Sequence, residues 1–276
     1  MTEKNANATE KAQIDEILSQ YPNLNSIITK NPDFYRLTLA QFGATTQDHQ
    51  KELRLSGILL NVDTEREFAI LIENVEHWLE LYPVYRTKKF GRKLSDNFFS
   101  HYSEIEVYHF VKQEELVPVR DPNIVINGIT KELDFLVRVD ERDFFIEVIT
   151  PRPSQEWEDS FDSGYCGVAD PIKGLGPKNT GEYSRVEAVV LKEIKKHFEG
   201  ILIETTVDFS IIIAINCHWT AREIIPCLNP SIFEKLPSFI SGIFIFDELS
   251  HKVFYPNPYY QFSQISMKSF NRIMEH

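Results

Sequence analysis

Apolar residues recur at helical spacing through the first third of the chain. Ile14, Ile17, Leu18 and Tyr21 form one such set; Phe34, Leu37, Leu39 and Phe42 form a second. Phe68, Leu71, Ile72, Val75, Trp78 and Leu79 form a third, and Pro22, Pro32 and Gly43 punctuate the segments. A stripe repeating every three to four residues is what a helix buries. This pattern predicts a helical N-terminal domain or arm over 1–92, its first dozen polar residues disordered.

Beyond about residue 95 the rhythm changes. Ser95 or Asp96 is placed to cap a helix ending near Gln113, and a strand is expected at 117–126. Two apolar runs within 131–150 flank the polar tetrapeptide Asp140-Glu141-Arg142-Asp143, which predicts a hairpin. The segment 151–182 is rich in Pro, Gly, Ser and Asp and reads as a long loop. A helix is expected at 184–198 and buried strands at 209–216 and 240–247, with HKVFYPNP pairing beside the last. Short helical pieces fall between those strands. The alternation predicts an α/β domain over 93–276, a mixed central sheet flanked by helices.

The apolar hairpin holds two acids, Asp134 and Glu147. With a turn near 140–143 they fall close to opposite each other. Two carboxylates side by side in a sheet repel, and burying them costs several kcal/mol, roughly, unless something neutralises them. A divalent cation does so, and Mg²⁺ prefers oxygen ligands. The alternative is that both acids lie at strand ends and meet water or arginines.

Composition narrows the classes. The chain has 276 residues and a formal net charge of −12, which argues against a surface coated in cations for nucleic acid. The charge is uneven: residues 1–95 hold 12 Lys/Arg against 13 Asp/Glu, and residues 96–276 hold 17 against 28. Arg86, Lys88, Lys89, Arg92 and Lys93 cluster in RTKKFGRK. That run reads either as a solvated linker or as a phosphate-contacting patch. No run of about 18 apolar residues predicts a membrane span, and the polar N-terminus lacks a signal region. Three cysteines (Cys166, Cys217 and Cys227), with no CxxC pair, fit reduced thiols in a cytoplasmic protein better than a disulfide frame or a zinc site.

Taken together, SEIEVYHFV (103–111), ELDFLV (132–137) and FFIEVITP (144–151) resemble the PD-(D/E)XK nuclease superfamily. The helix, IIIAIN, helix, SGIFIFD and YPNP that follow are similar to the later half of that restriction-endonuclease-like fold. The resemblance covers roughly 95–260. It implies a metal-dependent nuclease in which Asp134 and Glu147 hold Mg²⁺, or Mn²⁺ in its place. Glu104 is the implied helix glutamate in an E-apolar-E pattern, with Glu106 its rival; one of the two is expected to be solvated. DNA is favoured over RNA as partner, no membrane is expected, and a homodimer is a candidate assembly.

The sequence departs from the family where a lysine is usual, two residues after the second acid: here it has Ile149. That lysine orients the attacking water and stabilises developing charge. Members of the family supply it from a nearby helix instead. Arg185, Lys192 and Lys196 share a helical face on 184–198 and are the candidates to replace it, with Arg152 another. Without a replacement, the implied alternative is a degenerate nuclease-fold module for binding or assembly. A third reading is a different α/β metal enzyme.

Overall fold

The computed structural model describes residues 3–31, 34–35, 54–64, 66–139, 142–150, 191–192, 194–199, 209–216, 230–246 and 252–260. The expected helix over Phe34–Phe42, the 151–182 loop, Arg152, Arg185 and all three cysteines lie wholly or largely outside these residues. Contacts divide the chain into two compact units, meeting in sequence between Ile105 and Glu106. No described helix is long and apolar enough to cross a membrane.

The first unit is helical. It contains α1 (Glu3–Ser19), α2 (Pro22–Ile27), α3 (Leu55–Leu60), α4 (Arg66–Leu81), α5 (Lys88–Asp96) and the start of α6 (Phe98–Gln113). The opening residues are helical from Glu3, not disordered; Ala, Glu and Lys, which recur there, favour a helix once the apolar end of α1 anchors it. Ile14, Ile17, Leu18, Leu71, Ile72, Val75 and Leu79 are buried, as the spacing predicts. Pro22 opens α2 at a position where its missing N–H costs nothing. The Glu76 carboxylate of α4 accepts the amide N–H groups of Asn23 (2.9 Å) and Leu24 (2.8 Å) at that end.

From Lys88 onward the basic run is not a linker but helix, with Arg86 and Thr87 before it. Thr87 caps α5 by accepting the Phe90 amide at 3.1 Å. Gly91 is what lets α5 lie on α2, because any Cβ there would overlap the Ile27 carbonyl. Ser95 and Asp96 belong to α5, so α6 starts after Asn97 and not at either expected cap.

The second unit is built on a six-stranded mixed sheet in the order β1-β4-β5-β6-β7-β8. Its strands are β1 (Val119–Arg120), β4 (Phe135–Val139), β5 (Arg142–Ile149), β6 (Ser210–Asn216), β7 (Ile240–Phe246) and β8 (Lys252–Pro256). β5, β6 and β7 are parallel neighbours; the other pairs are antiparallel. Every residue of β6 and β7 is buried, matching their largely apolar sequence, with Ser210, Asn216 and Ser241 the buried polar residues among them.

One expectation fails. The stretch 117–126 is not one strand: Asp121, at φ 50°, and Pro122 break it. The later half, β2 (Asn123–Ile126), pairs with β3 (Ile129–Glu132) in a separate two-stranded sheet. Asn127 and Gly128, both at positive φ (53° and 79°), make the two-residue turn such a hairpin needs.

The two faces of the main sheet carry different clusters. Val107, Phe110 and Val111 of α6 pack on Phe135, Val137, Phe144 and Ile146. Ile194 and Phe198 join Phe145, Ile149, Ile211 and Ile213 in the other cluster.

Candidate functional site

Asp134 and Glu147 are brought together by the β4–β5 ladder. Phe135 pairs with Ile146, which leaves 134 and 147 as the next facing positions outward. Asp134 ends the ladder with its side chain: its Oδ2 accepts the Val148 amide at 2.8 Å. Its carbonyl accepts the Asp121 amide at 3.1 Å. Glu147 stands between Phe145 and Ile149 along the strand, and both of those point into one cluster. Glu147 therefore points to that same face, and it is buried, 8% exposed.

A burial this deep calls for a partner. His197 provides one, its Nδ1 3.2 Å from Glu147 Oε1. Ile194 and Phe198 fix that helix in phase by inserting into the cluster, which leaves His197 half-buried at its margin. Lys192 and Lys196 are exposed. Ile149, two residues after Glu147, is 8% exposed and part of the core. His197 is not among the residues expected from the sequence, because the expected replacement for the lysine is itself a lysine or arginine. The signal was there: a histidine beside Phe198, three residues on from Ile194.

Glu104 and Glu106 divide between the units. Glu104 belongs to the first, where its Oε2 lies 3.0 Å from His101 Nδ1. Glu106 belongs to the second, where its charge acts on Lys252. Both are buried, 5% and 4% exposed, which corrects the expectation that one is solvated. All six residues from Tyr102 to Val107 are buried, so neither acid falls on an exposed face of α6.

The residues present suit a hard divalent ion only partly. Two carboxylates on one face match what Mg²⁺ takes from a protein when substrate oxygens and water complete its shell. Among the described residues, no group of three or more His, Cys, Asp or Glu side chains is arranged to hold a metal.

The basic run separates into two roles. Arg86 caps α4: its Nε donates to the Leu79 carbonyl at 2.6 Å and its Nη2 to that of Glu80 at 2.7 Å. Lys88, Lys89 and Arg92 line a cavity of about 600 Å³ in the first unit, while Lys93 is half-buried outside its lining. Arg54, 32 residues before Arg86 in the chain, joins them there. Sequence reading missed it because nothing local links it to the run.

Compared with protein-family models, curated proteins and solved structures, the chain matches none of them.

Proposed function

We propose that the second unit is a restriction-endonuclease-like domain that hydrolyses phosphodiester bonds in a cytoplasmic nucleic acid, with DNA favoured. The observation that carries this reading is the pair Asp134 and Glu147, held facing each other at one end of the β4–β5 ladder. The β4–β5 register sets the two acids opposite each other, where like charges repel, and a bound cation removes that repulsion. Mg²⁺, or Mn²⁺ in its place, would be held by Asp134 and Glu147, where it would activate water and neutralise phosphate charge. Asp134 is oriented by the Val148 amide and Glu147 by His197. His197 is thus a positioning residue, brought from a helix near to where the usual lysine is missing.

The test is Mg²⁺- and Mn²⁺-dependent cleavage of single- and double-stranded DNA and RNA by the full chain. Loss of cleavage in both Asp134→Asn and Glu147→Gln is the expected result. Cleavage that survives both substitutions overturns the assignment.

Ile149 supports a second reading. It fills the lysine position with a buried apolar side chain, as in a fold kept for binding after its chemistry was lost. No cleavage of any substrate, and no metal-dependent rise in melting temperature, favours that module.

A further inference from the structure

The cavity of the first unit has the chemistry of an anion site, and nothing in the metal-centre reading uses it. Among the described residues that line it, four are cationic (Arg54, Lys88, Lys89 and Arg92) and one is acidic, Asp96. Thr29, Asn31 and Ser56 add side chains able to donate hydrogen bonds to phosphate oxygens.

The cations are placed at a cost. Lys88 and Lys89 open α5, whose first turn has no acidic residue. The positive end of a helix dipole disfavours cations there. Lys88 and Arg92 lie one turn apart on α5, so their charges face the same side. Among the described residues, no carboxylate forms an ion pair with Arg54, Lys89 or Arg92. Lys88 is tied to the Ile28 carbonyl at 3.1 Å, which holds the α5 end of the cavity against the segment after α2. A bound anion would offset both the mutual repulsion and the dipole term.

Size decides which anion. A cavity of about 600 Å³ falls in the range that holds one small molecule, roughly 300–1,000 Å³. That volume is enough for the phosphates and sugar of a single nucleotide. The chain as a whole carries −12, so a polyanion is drawn to this pocket and repelled from much of the remaining surface.

We propose that this cavity binds the terminal phosphates of a nucleotide, carried either by a free nucleotide or by the phosphorylated 5′ end of a strand. The inference does not rest on the nuclease reading, because no residue of the metal pair takes part.

Calorimetric titration of the full chain in EDTA tests it, with ATP, pyrophosphate and a short oligonucleotide bearing a 5′-phosphate or a 5′-hydroxyl as probes. Expected is binding of at least one phosphorylated probe that weakens as salt rises. Arg92→Glu and Arg54→Glu should each weaken it at least tenfold, Arg92→Gln should weaken it less, and Glu147→Gln should leave it unchanged. Preference for ATP assigns a free nucleotide. Preference for the 5′-phosphorylated strand over its 5′-hydroxyl twin assigns a strand end. Unliganded melting temperatures of the variants, matched to the parent, show that the pocket residues and not the fold were changed. No heat with any probe, or equal affinity in Arg92→Glu and Arg54→Glu, overturns the proposal. Cleavage assays report separately on Asp134 and Glu147, so the two readings fail independently.

Discussion

His197 Nδ1 lies 3.2 Å from Oε1 of Glu147, a carboxylate only 8% exposed. The pair joins a strand end to the helix laid on that face of the sheet. If Glu147 is a metal ligand, His197 fixes which of its oxygens turns to the metal. Removing such a partner costs about 10–100-fold in metal affinity or activity. His197→Ala should therefore lower cleavage within that range and raise the Mg²⁺ concentration needed for half-maximal rate. His197→Asn keeps a donor near the Nδ1 position and should recover part of both. Equal loss in the two variants would show that the ring serves only packing.

Asp134 has a structural duty separable from any chemistry. Its Oδ2 accepts the Val148 amide at 2.8 Å, at the end of the ladder. Asp134→Ala strands that amide and should destabilise the second unit by about 1–3 kcal/mol. Asp134→Asn keeps an acceptor and should melt close to the parent, while cleavage disappears. Urea denaturation beside cleavage rates separates the two effects. An Asn variant as unstable as Ala would mean the negative charge itself holds the turn.

Much of the second unit was legible because its signals are local. Apolar runs (Ile211–Ile215 and Ile243–Phe246) marked β6 and β7, and the hairpin spacing put 134 opposite 147. The short β2–β3 sheet was missed although Asn127-Gly128 announces it, because the apolar positions from 117 to 126 read as one strand across Pro122. Other features had no local signal. His197 meets Glu147 only through the phase that Ile194 and Phe198 impose, and Arg54 reaches the cavity only through the fold. Burial of both Glu104 and Glu106 depends on what surrounds α6, which no periodicity within it states.

Lys252 carries a pH signature. Burial pushes its ammonium below the usual lysine range, against the pull of Glu106 and Glu114. Its Nζ also lies 3.9 Å from the centre of the Phe110 ring, a contact that works in the same direction as those acids. Between the lowered folded value and the ordinary one, the unfolded chain binds the proton and the folded chain has released it. Stability then rises with pH across that window and levels off above the ordinary lysine value. Wild type should gain stability relative to Lys252→Met as the pH climbs through it, with no change in the difference below it. Urea midpoints of both proteins across that range give the answer. A difference independent of pH would mean the ammonium is as well solvated folded as unfolded.

Gly91 sets the position of the basic helix, and two glycine substitutions separate crowding from backbone strain. A Cβ at 91 overlaps the Ile27 carbonyl oxygen and comes within 2.7 Å of its carbon, and backbone on both sides leaves little to yield. Alanine in a helix interior gains up to about 1 kcal/mol over glycine, so any net loss at 91 reports the clash. Gly91→Ala should destabilise the first unit by about 1–3 kcal/mol, as overpacking does. It should also weaken ATP or pyrophosphate binding, because Lys88, Lys89 and Arg92 move with α5. Gly128 is the contrast: nothing lies within 4 Å of its Cβ position, and its φ of 79° is the only obstacle. Gly128→Ala should cost about 1–2 kcal/mol in the second unit, from the left-handed backbone alone, and leave anion binding untouched. If Gly91→Ala instead stabilises the protein, α5 slides on α2 without resistance, and the geometry of the cationic cavity is not fixed by this contact.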